Sequence, residues 1–361
     1  MWIWQQQNWP NFEYDLDKIL PSLEMAIRNI SPLMALANQL DETKRLQLES
    51  QVLLEEALST AKIEGELLDR ESVCSSIANR LGIEQTTQSS KSSQAFIDVL
   101  LESIRSANQP LKESDLFKWQ HMLFIEKPML HDLIIGDYRH DTMQVVSGRH
   151  GKQTIHFEAP CSNRQCVQQE MNTFFDYLNS AGVLSGYIKA AIAKFWFVTI
   201  HPFDDGNGRF SRIIAERLLV KADNTTLRLY SLSTEIEKHR NDYYKILERT
   251  QKGNLNLTEW IIWFLNTIAA SAEASLSKLQ KIQQSTLFWD RNRDINLNKR
   301  QRKLITRLLQ THDFAEGVSR RKYKNLVGAS DATSARDLKE LLKLGILKVE
   351  GAGRSTKYFI I

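Results

Sequence analysis

Apolar residues recur every three to four positions along most of this chain, which is the spacing of amphipathic α-helices. This spacing predicts helices over 16–40, 43–58, 95–107, 113–126, 166–180, 185–200, 209–223, 236–251 and 258–277. The intervening stretch 83–93 is rich in Ser, Thr and Gln, which indicates a solvated loop. The pattern therefore predicts a mainly α fold.

A pattern of another kind lies at residues 143–157. Val145 and Val146 precede a glycine-bearing turn, and Ile155 and Phe157 follow it. Two short extended runs around such a turn predict a β-hairpin.

The C-terminal residues return to the helical pattern and end in alternation. Helices are predicted over 299–310, 320–327 and 332–344, and Gly345 ends the third. Residues 346–361 then alternate around a glycine turn, as a hairpin does. Three helices followed by a hairpin are the outline of a winged helix-turn-helix. A small helical protein-docking domain is the alternative.

Charge is divided unevenly between this C-terminal part and the rest of the chain. Residues 295–361 contain 15 Lys and Arg against 6 Asp and Glu, a net charge of +9, and the remainder carries −5. A basic surface attracts nucleic acid or another polyanion, so DNA is a candidate partner of residues 295–361.

Length and composition set the broad class. The 361 residues are 42% hydrophobic and 25% charged, which excludes a wholly disordered chain and suggests two or three domains. The apolar run 190–200 is interrupted by Lys194 and is too short to cross a membrane. The first residues lack the features of a signal peptide, and Cys74, Cys161 and Cys166 are expected to be reduced thiols. We therefore expect a cytoplasmic protein without a membrane partner.

Candidate chemistry is concentrated in residues 201–212, which read His-Pro-Phe-Asp-Asp-Gly-Asn-Gly-Arg-Phe-Ser-Arg. Pro202 ends the preceding apolar helix and leaves His201 at its end. The loop at 206–208 has two glycines, so its backbone N–H groups can point at one spot beside the positive N-terminus of the next helix. These features predict an anion site with a histidine base beside it.

Three side chains of the same segment suit a polyphosphate. Arg209 and Arg212 are three residues apart on one helix face and can bind phosphate oxygens. Asp205 offers a hard oxygen ligand for Mg²⁺. Each of these residues is common alone, and their combination within twelve positions indicates a nucleoside triphosphate site.

The same segment resembles the signature of the Fic family, HPF-x-[DE]-GNGR-x-x-R, at every fixed position. Enzymes of this family typically transfer AMP from ATP to a hydroxyl group of a protein and release pyrophosphate. The resemblance implies that His201 is the general base and that Asp205 holds Mg²⁺ between the α- and β-phosphates. It implies that the phosphates are bound by Gly206, Asn207, Gly208, Arg209 and Arg212.

Two further stretches are similar to parts of the same family. The residues Gly136-Asp-Tyr-Arg139 and the hairpin at 143–157 resemble the flap that holds the protein target by strand addition. The resemblance assigns nucleotide contacts to the flap residues Val145, Val146, Ser147 and Gly148. It also implies that Tyr243 or Tyr244 lies against the adenine, with Gln251 nearby, whereas ordinary core packing is the alternative for the paired tyrosines.

A second motif, Thr60-Ala-Lys-Ile-Glu64-Gly65, resembles the family's inhibitory sequence [ST]-x-x-x-E-[GN]. In that family the glutamate pairs with the second arginine of the signature, here Arg212, and obstructs binding of the γ-phosphate. A carboxylate competes directly with a phosphate for a guanidinium group. The alternative is a surface glutamate at a helix end that a glycine caps.

The resemblance extends over nearly the whole chain and implies three domains. These are an N-terminal helical domain with the inhibitory motif at 1–95, a helical Fic catalytic core with the flap at 96–280, and a winged-helix module at 295–361. We expect an adenylyltransferase that uses ATP and Mg²⁺ to modify a Tyr, Thr or Ser of a protein target and is inhibited by Glu64. Removal of AMP by the same site and a DNA-binding regulator with a nucleotide-sensing core are the alternatives. UTP or GTP as the nucleotide, a homodimer, and the identity of the target are left open.

Overall fold

The computed structural model describes residues 1–82, 90–124, 133–148, 153–180, 185–310, 314 and 316–361. Within these residues the chain forms fourteen α-helices and two antiparallel two-stranded sheets, which confirms the predicted mainly α fold. It divides into two compact units, Met1–Leu276 and Ser277–Ile361. The predicted boundary after residue 95 falls inside a helix, and the assignment of three functional domains stays a prediction.

The first unit is built from helices with one short hairpin. Its helices are α1 (Leu16–Asn38), α2 (Glu42–Ile63), α3 (Arg70–Leu81), α4 (Lys91–Arg105), α5 (Glu113–Phe124), α6 (Arg164–Asn179), α7 (Gly186–Ile200), α8 (Asn207–Ala222), α9 (Leu232–Lys238), α10 (Arg240–Gln251) and the start of α11 (Thr258–Arg291). The hairpin, which we call the flap, consists of β1 (Gln144–Ser147) and β2 (Thr154–Glu158). Its tip at residues 149–152 lies outside the described residues.

The core of the first unit surrounds α7. Every residue of α7 from Ala190 to Ile200 is buried, as expected for a helix that is apolar on all sides. Helix α8 packs against it, and a Cβ on Gly186 would lie only 2.7 Å from the Cβ of Ala222. His201 directly follows α7, and α8 begins at Asn207. The signature therefore connects two largely buried helices, from the end of α7 into the start of α8.

The structure corrects several predicted elements. The predicted helix 236–251 is two helices, because His239 leaves the helical conformation between α9 and α10. Helix α3 is not among the predicted helices, because buried serines stand between its few buried apolar residues and weaken the apolar pattern. Residues 91–93, predicted as loop, begin α4, and the rest of that loop at 83–89 lies outside the described residues, as do residues 125–126.

The expectation of reduced cysteines is wrong for two of the three. Cys161 and Cys166 form a disulfide, and Cys74 is free. Cys161 has a left-handed backbone, and the turn capped by Asn163 at the start of α6 brings the two Cα atoms to 5.4 Å. The turn geometry makes this pairing possible across five residues. None of the described helices combines the length and the hydropathy that a membrane-spanning segment needs.

The second unit has the predicted order of three helices and a hairpin. Its helices are α12 (Lys299–Gln310), α13 (Arg320–Val327) and α14 (Asp331–Lys343), followed by β3 (Leu347–Glu350) and β4 (Lys357–Ile360). Leu304, Tyr323 and Leu338 are fully buried in its core. Asp337 of α14 accepts hydrogen bonds from Arg300 and from the hydroxyl of Tyr323, and so joins the three helices.

Candidate active site

His201 ends α7 with a left-handed backbone (φ 53°, ψ 58°). Its ring Nδ1 lies 3.1 Å from the carbonyl oxygen of Val198. Because a carbonyl can only accept, Nδ1 carries the proton and Nε2 keeps its lone pair. Burial lowers the pKa of His201 to about 4, so the imidazole is neutral at pH 7. Its Nε2 can therefore act as a general base.

Arg139 fixes the loop that carries this base. It is 1% exposed, its Nε donates to His201 O at 2.8 Å, and its backbone N–H donates to Pro202 O at 2.9 Å. A guanidinium Nη also donates to the carbonyl of Cys161 at 2.8 Å. Burial lowers the pKa of Arg139 to about 10, and the group stays charged at neutral pH. Sequence reasoning placed Arg139 with the flap and missed this role, since its partners are distant backbone carbonyls.

The loop between α7 and α8 is closed by its own asparagine. Phe203 N donates to Asn207 Oδ1 at 3.0 Å, and Asn207 Nδ2 donates to Phe203 O at 2.7 Å. Gly206 then turns into α8 with φ 90°, a conformation that favours glycine. Because the Asn207 side chain is committed to the loop, the groups left to face an anion here are the backbone N–H groups of the first turn of α8.

Arg212, one turn into α8, meets the end of α2. It is 1% exposed, and its Nη2 lies 2.6 Å from Glu64 Oε1. Its Nε also donates to Thr60 Oγ1 at 3.3 Å. A Cβ on Gly208 would collide with Glu64 Oε1. The Glu64 carboxylate thus rests on the first turn of α8, just before Gly65 leaves α2 with φ 78°.

The surroundings of Glu64 keep it ionised. Burial alone would raise its pKa, but the charges of Arg212, Arg209 and Lys194 outweigh burial and hold the pKa below its usual value. The Glu64 side chain is still 25% exposed, whereas that of Arg212 is 2% exposed. The carboxylate is therefore the accessible member of the pair.

A buried lysine lies close to this pair, at a position that in the sequence is only a break in an apolar run. Lys194 is fully buried, and its Nζ lies 3.3 Å from both Ser211 Oγ and Tyr243 Oη. Burial, and then the charge of Arg212, lowers its pKa. No local signal distinguishes this residue, because its importance comes from the helices around it.

Arg209 and Asp205 lie at the mouth of the same turn. Arg209 Nη1 lies 3.5 Å from Glu66 Oε1, and its Nη2 lies 3.5 Å from Asp205 Oδ2. Asp205 Oδ1 accepts from Gly206 N at 2.6 Å, and 47% of the Asp205 side chain is exposed. An exposed carboxylate suits Mg²⁺, because most of the ligands of this ion are water molecules and phosphate oxygens. Among the described residues, no group of three His, Cys, Asp or Glu is placed to hold a metal without such help.

The two predicted adenine-site tyrosines have different surroundings. Tyr243 is 2% exposed and packs against Trp263 with ring centroids 5.5 Å apart, which is core packing. Tyr244 is 43% exposed, and its hydroxyl lies 3.4 Å from Ile63 O, next to Glu64. Gln251 is buried and donates to Thr199 Oγ1 at 3.3 Å. Of these three residues, Tyr244 has the exposed ring, and it lies beside the end of α2.

The flap presents its predicted residues to solvent. Val145 and Val146 are 39% and 42% exposed, Ser147 is exposed, and Gly148 ends the strand with φ 107°. His156 of the flap lies 3.0 Å from a carboxylate oxygen of Glu248, which fastens the flap to α10. The flap and Tyr244 are thus held on the same helix.

Two parts of the chain match known sequence families. Residues 110–219, which include the whole signature, match the sequence profile of the Fic/DOC family. Residues 2–83 match that of a domain of unknown function, DUF4172. The inhibitory motif lies in this second match.

Curated relatives match part of the chain. "Protein adenylyltransferase Fic" of Aedes aegypti is 36% identical over 87 residues, which are 24% of this chain and 16% of that protein. The protein of the same name from Nematostella vectensis is 31% identical over 91 residues, or 25% of this chain and 20% of that protein. The matched stretches thus span a fifth or less of these relatives.

Solved structures share the fold over most of the chain. A Fic family protein from Desulfovibrio desulfuricans G20 has a TM-score of 0.54 at 17% identity and covers 94% of this chain and 96% of its own. A Fic domain-containing signaling protein from Bacteroides thetaiotaomicron has the same TM-score at 19% identity and covers 71% of this chain and 96% of its own. At under 25% identity these likenesses show the fold, and the profile match places the similarity to the Fic/DOC family at residues 110–219.

Proposed function

We propose that this protein is an adenylyltransferase that moves AMP from ATP to a hydroxyl group of a protein target and is held back by Glu64. The observation that carries the proposal is the position of the Glu64 carboxylate. It rests on the first turn of α8 against Arg212, where a helix N-terminus and a buried guanidinium form an anion site. The names of the curated relatives support the same activity.

The proposed reaction uses His201 as the base. The target oxygen attacks the α-phosphorus, the bond from that phosphorus to pyrophosphate breaks, and the hydroxyl proton moves to His201 Nε2. The free lone pair of Nε2 and the neutral state of the ring support this role. Arg209, Arg212 and the N–H groups of α8 would bind the phosphates and stabilise the charge that builds up on them.

Asp205 is the residue that would hold Mg²⁺. Its exposed carboxylate at the mouth of the site fits a metal that also binds phosphate oxygens. When bound, the metal neutralises phosphate charge. Arg209 lies close enough to Asp205 to orient this carboxylate before ATP arrives.

The inhibitory role of Glu64 rests on direct competition. ATP that places its γ-phosphate on Arg212 has to displace a carboxylate 2.6 Å from the guanidinium. The ionised state of Glu64 makes that displacement costly. ATP that binds without displacing the carboxylate would lie with its α-phosphate out of line for attack.

The flap is the proposed site for the protein target. Its exposed backbone edge and its exposed Val145 and Val146 suit an extended segment added as a further strand.

The cytoplasmic location was expected in part because the cysteines were expected to be reduced. The pairing of Cys161 with Cys166 removes that support for the location.

The test is the removal of Glu64. We expect Glu64→Gly to raise AMP incorporation from ATP and Mg²⁺, measured by intact mass and by labelling of lysate proteins. If displacing the carboxylate costs productive ATP binding about 1.4 kcal/mol or more, removing Glu64 raises the rate about tenfold or more. Glu71→Gly, at an exposed glutamate of α3, is the matched control and should leave the rate unchanged.

Arg212→Ala makes the test specific. It removes the phosphate ligand together with the partner of Glu64, so it should not activate, and the double variant should resemble Arg212→Ala alone. A Glu64→Gly variant no faster than the wild type, or an active Arg212→Ala variant, would disprove the proposed inhibition.

A further inference from the structure

The first residues of the chain pack against the flap. The ring of Trp2 meets the ring of Phe157 edge-on, with the two centroids 5.4 Å apart. Phe157 is 2% exposed and is the one buried side chain of the described strands β1 and β2. A two-stranded hairpin is only marginally stable in water by itself, so the flap depends on the groups that cover this ring. Trp2 is one of those groups.

A second tryptophan occupies the outer edge of β2. Gln144 pairs with Glu158 in the hairpin, and Ala159 N donates to Met143 O at 2.9 Å. Successive residues of an antiparallel strand direct their backbone groups to opposite sides, so the carbonyl of Glu158 points away from β1. Trp4 Nε1 donates to this oxygen at 2.7 Å. The outer edge of β2 is therefore held by Trp4, and the outer edge of β1 is the one left for a further strand.

The same contacts connect the flap to α10. Lys252, the residue after α10, places its Nζ 5.6 Å from the centre of the Trp2 ring. Lys252 also forms an ion pair with Glu248, whose Oε2 lies 3.0 Å from His156 Nδ1 on β2. Trp2 and His156 thus tie the flap to the end of α10 at two separate points.

The N-terminal segment, residues 2–13, is itself firmly attached to this body. Ile3, between the two tryptophans, is fully buried. Glu13 N donates to Leu255 O at 2.9 Å, and Leu257 N donates to Glu13 O at 2.8 Å. Because both ends of the segment are fixed, it can serve as a support for the flap.

We propose that Trp2 and Trp4 are positioning residues for the proposed reaction, which hold the flap against α10 so that a target strand added to β1 is kept in register with the site. The two residues touch neither nucleotide nor target and act through Phe157 and Glu158. The proposal rests on the proposed function for the role of the flap in target binding. It gives the start of the N-terminal segment a part in recognising the target.

Amide hydrogen exchange of the full chain, followed by peptide mass spectrometry, tests the hold on the flap without ATP. We expect Trp2→Ala to speed exchange in β1 and β2 about tenfold or more, because the aromatic cover of Phe157 is lost. Trp2→Phe keeps an aromatic ring at this place and should restore the wild-type exchange rate. Trp4→Phe should speed exchange about three- to tenfold, as expected for the loss of one hydrogen bond.

Trp9→Phe is the matched control for Trp4→Phe. Both tryptophans are half-buried members of the N-terminal segment, and each donates one hydrogen bond through Nε1. The partner of Trp9 is Glu170 of α6, at 3.0 Å, rather than the flap. Trp9→Phe should therefore leave exchange in β1 and β2 unchanged.

The reaction is followed in the same variants with Glu64→Gly added. We expect AMP labelling of lysate proteins to fall about tenfold in Trp2→Ala and to recover as the lysate is concentrated. The reason is that a loosened flap weakens target binding, whereas the reacting groups around His201 are unchanged. Labelling by Trp2→Phe and by Trp9→Phe should equal that of Glu64→Gly alone.

The outcomes separate this proposal from the proposed function. Exchange in β1 and β2 that stays at the wild-type rate in Trp2→Ala and Trp4→Phe would overturn the proposal. Faster exchange together with undiminished labelling would also overturn it and would leave the proposed function intact. If Glu64→Gly alone labels nothing, the proposed function fails, and the exchange rates still decide whether Trp2 and Trp4 hold the flap.

Discussion

At the scale of single residues, His201 shows how the protonation state of one side chain is set by its place in the fold. The helix end half-buries His201 and Val198 O selects the tautomer of its ring, so the neutral form is favoured. The pKa of His201 is lowered from 6.5 to about 4. Between these two pH values the unfolded chain binds more protons than the folded one, so stability falls as the pH falls through this range.

This shift gives a prediction for the dependence of stability on pH. At pH 7 the lowered pKa of His201 has no effect on unfolding, and towards pH 4 it costs at most about 3 kcal/mol. We therefore expect His201→Gln to gain stability relative to the wild type as the pH falls from 6.5 to 4, measured by urea unfolding. A difference between the two proteins that does not change with pH would contradict the assigned pKa of His201.

At the scale of elements, the end of α2 that carries Glu64 is held by α9. Glu56 of α2 is 2% exposed and accepts hydrogen bonds from Ser233 N at 3.0 Å, from Ser231 Oγ at 2.8 Å and from the Ser233 hydroxyl. Thr60, one turn later, donates to Ser233 Oγ at 2.9 Å. Because Thr60 and Glu64 both contact Arg212, the position of the Glu64 carboxylate depends on this junction.

The junction can be tested without touching the site. Ser233→Ala should lower the free energy of unfolding by about 1.5 to 3 kcal/mol, the usual loss for a hydrogen bond to a charged group. It should also raise AMP incorporation, though less than Glu64→Gly does, because the end of α2 is held less firmly. Ser271→Ala is the control, since the buried Ser271 hydroxyl donates within its own helix to Thr267 O. Equal activity in the two serine variants would show that α9 does not hold the inhibitor.

At the scale of the whole molecule, positive charge is concentrated in the second unit. Residues 295–361 carry a net charge of +9 in a chain whose total is +4. Arg336, Lys339 and Lys343 of α14 are exposed and lie three and four residues apart, on one helix face. The observed order of helices and hairpin is that of the predicted winged helix, and DNA binding stays a prediction.

We expect the full chain to bind duplex DNA in a salt-dependent way. Replacing Arg336, Lys339 and Lys343 by alanine should weaken binding and lower the slope of log affinity against log salt by about 2 to 3. The control replaces three exposed basic residues of the first unit, Lys18, Arg28 and Lys245, and should leave the slope unchanged. If the wild type does not bind DNA even at low salt in fluorescence anisotropy, the alternative of a protein-docking unit is favoured.

Much of the fold and of the site could be predicted from the sequence because the signals are local. Helix periodicity placed α7, Pro202 and the two glycines marked the loop, and the spacing of Arg209 and Arg212 put both on α8. These features depend on residues within one or two helical turns of each other. The resemblance to the Fic family then indicated the pairing of Glu64 with Arg212, which no local pattern contains.

Only the tertiary structure decided which distant groups meet. Glu64 and Arg212 are 148 residues apart, and His156 and Glu248 are 92 apart, so their contacts depend on how whole helices pack. The burial of Lys194 has the same origin, because its Nζ reaches Ser211 and Tyr243 on two other helices. Sequence periodicity determines which face of an element is apolar, whereas the choice of partner is settled by the free energy of packing the complete set of elements.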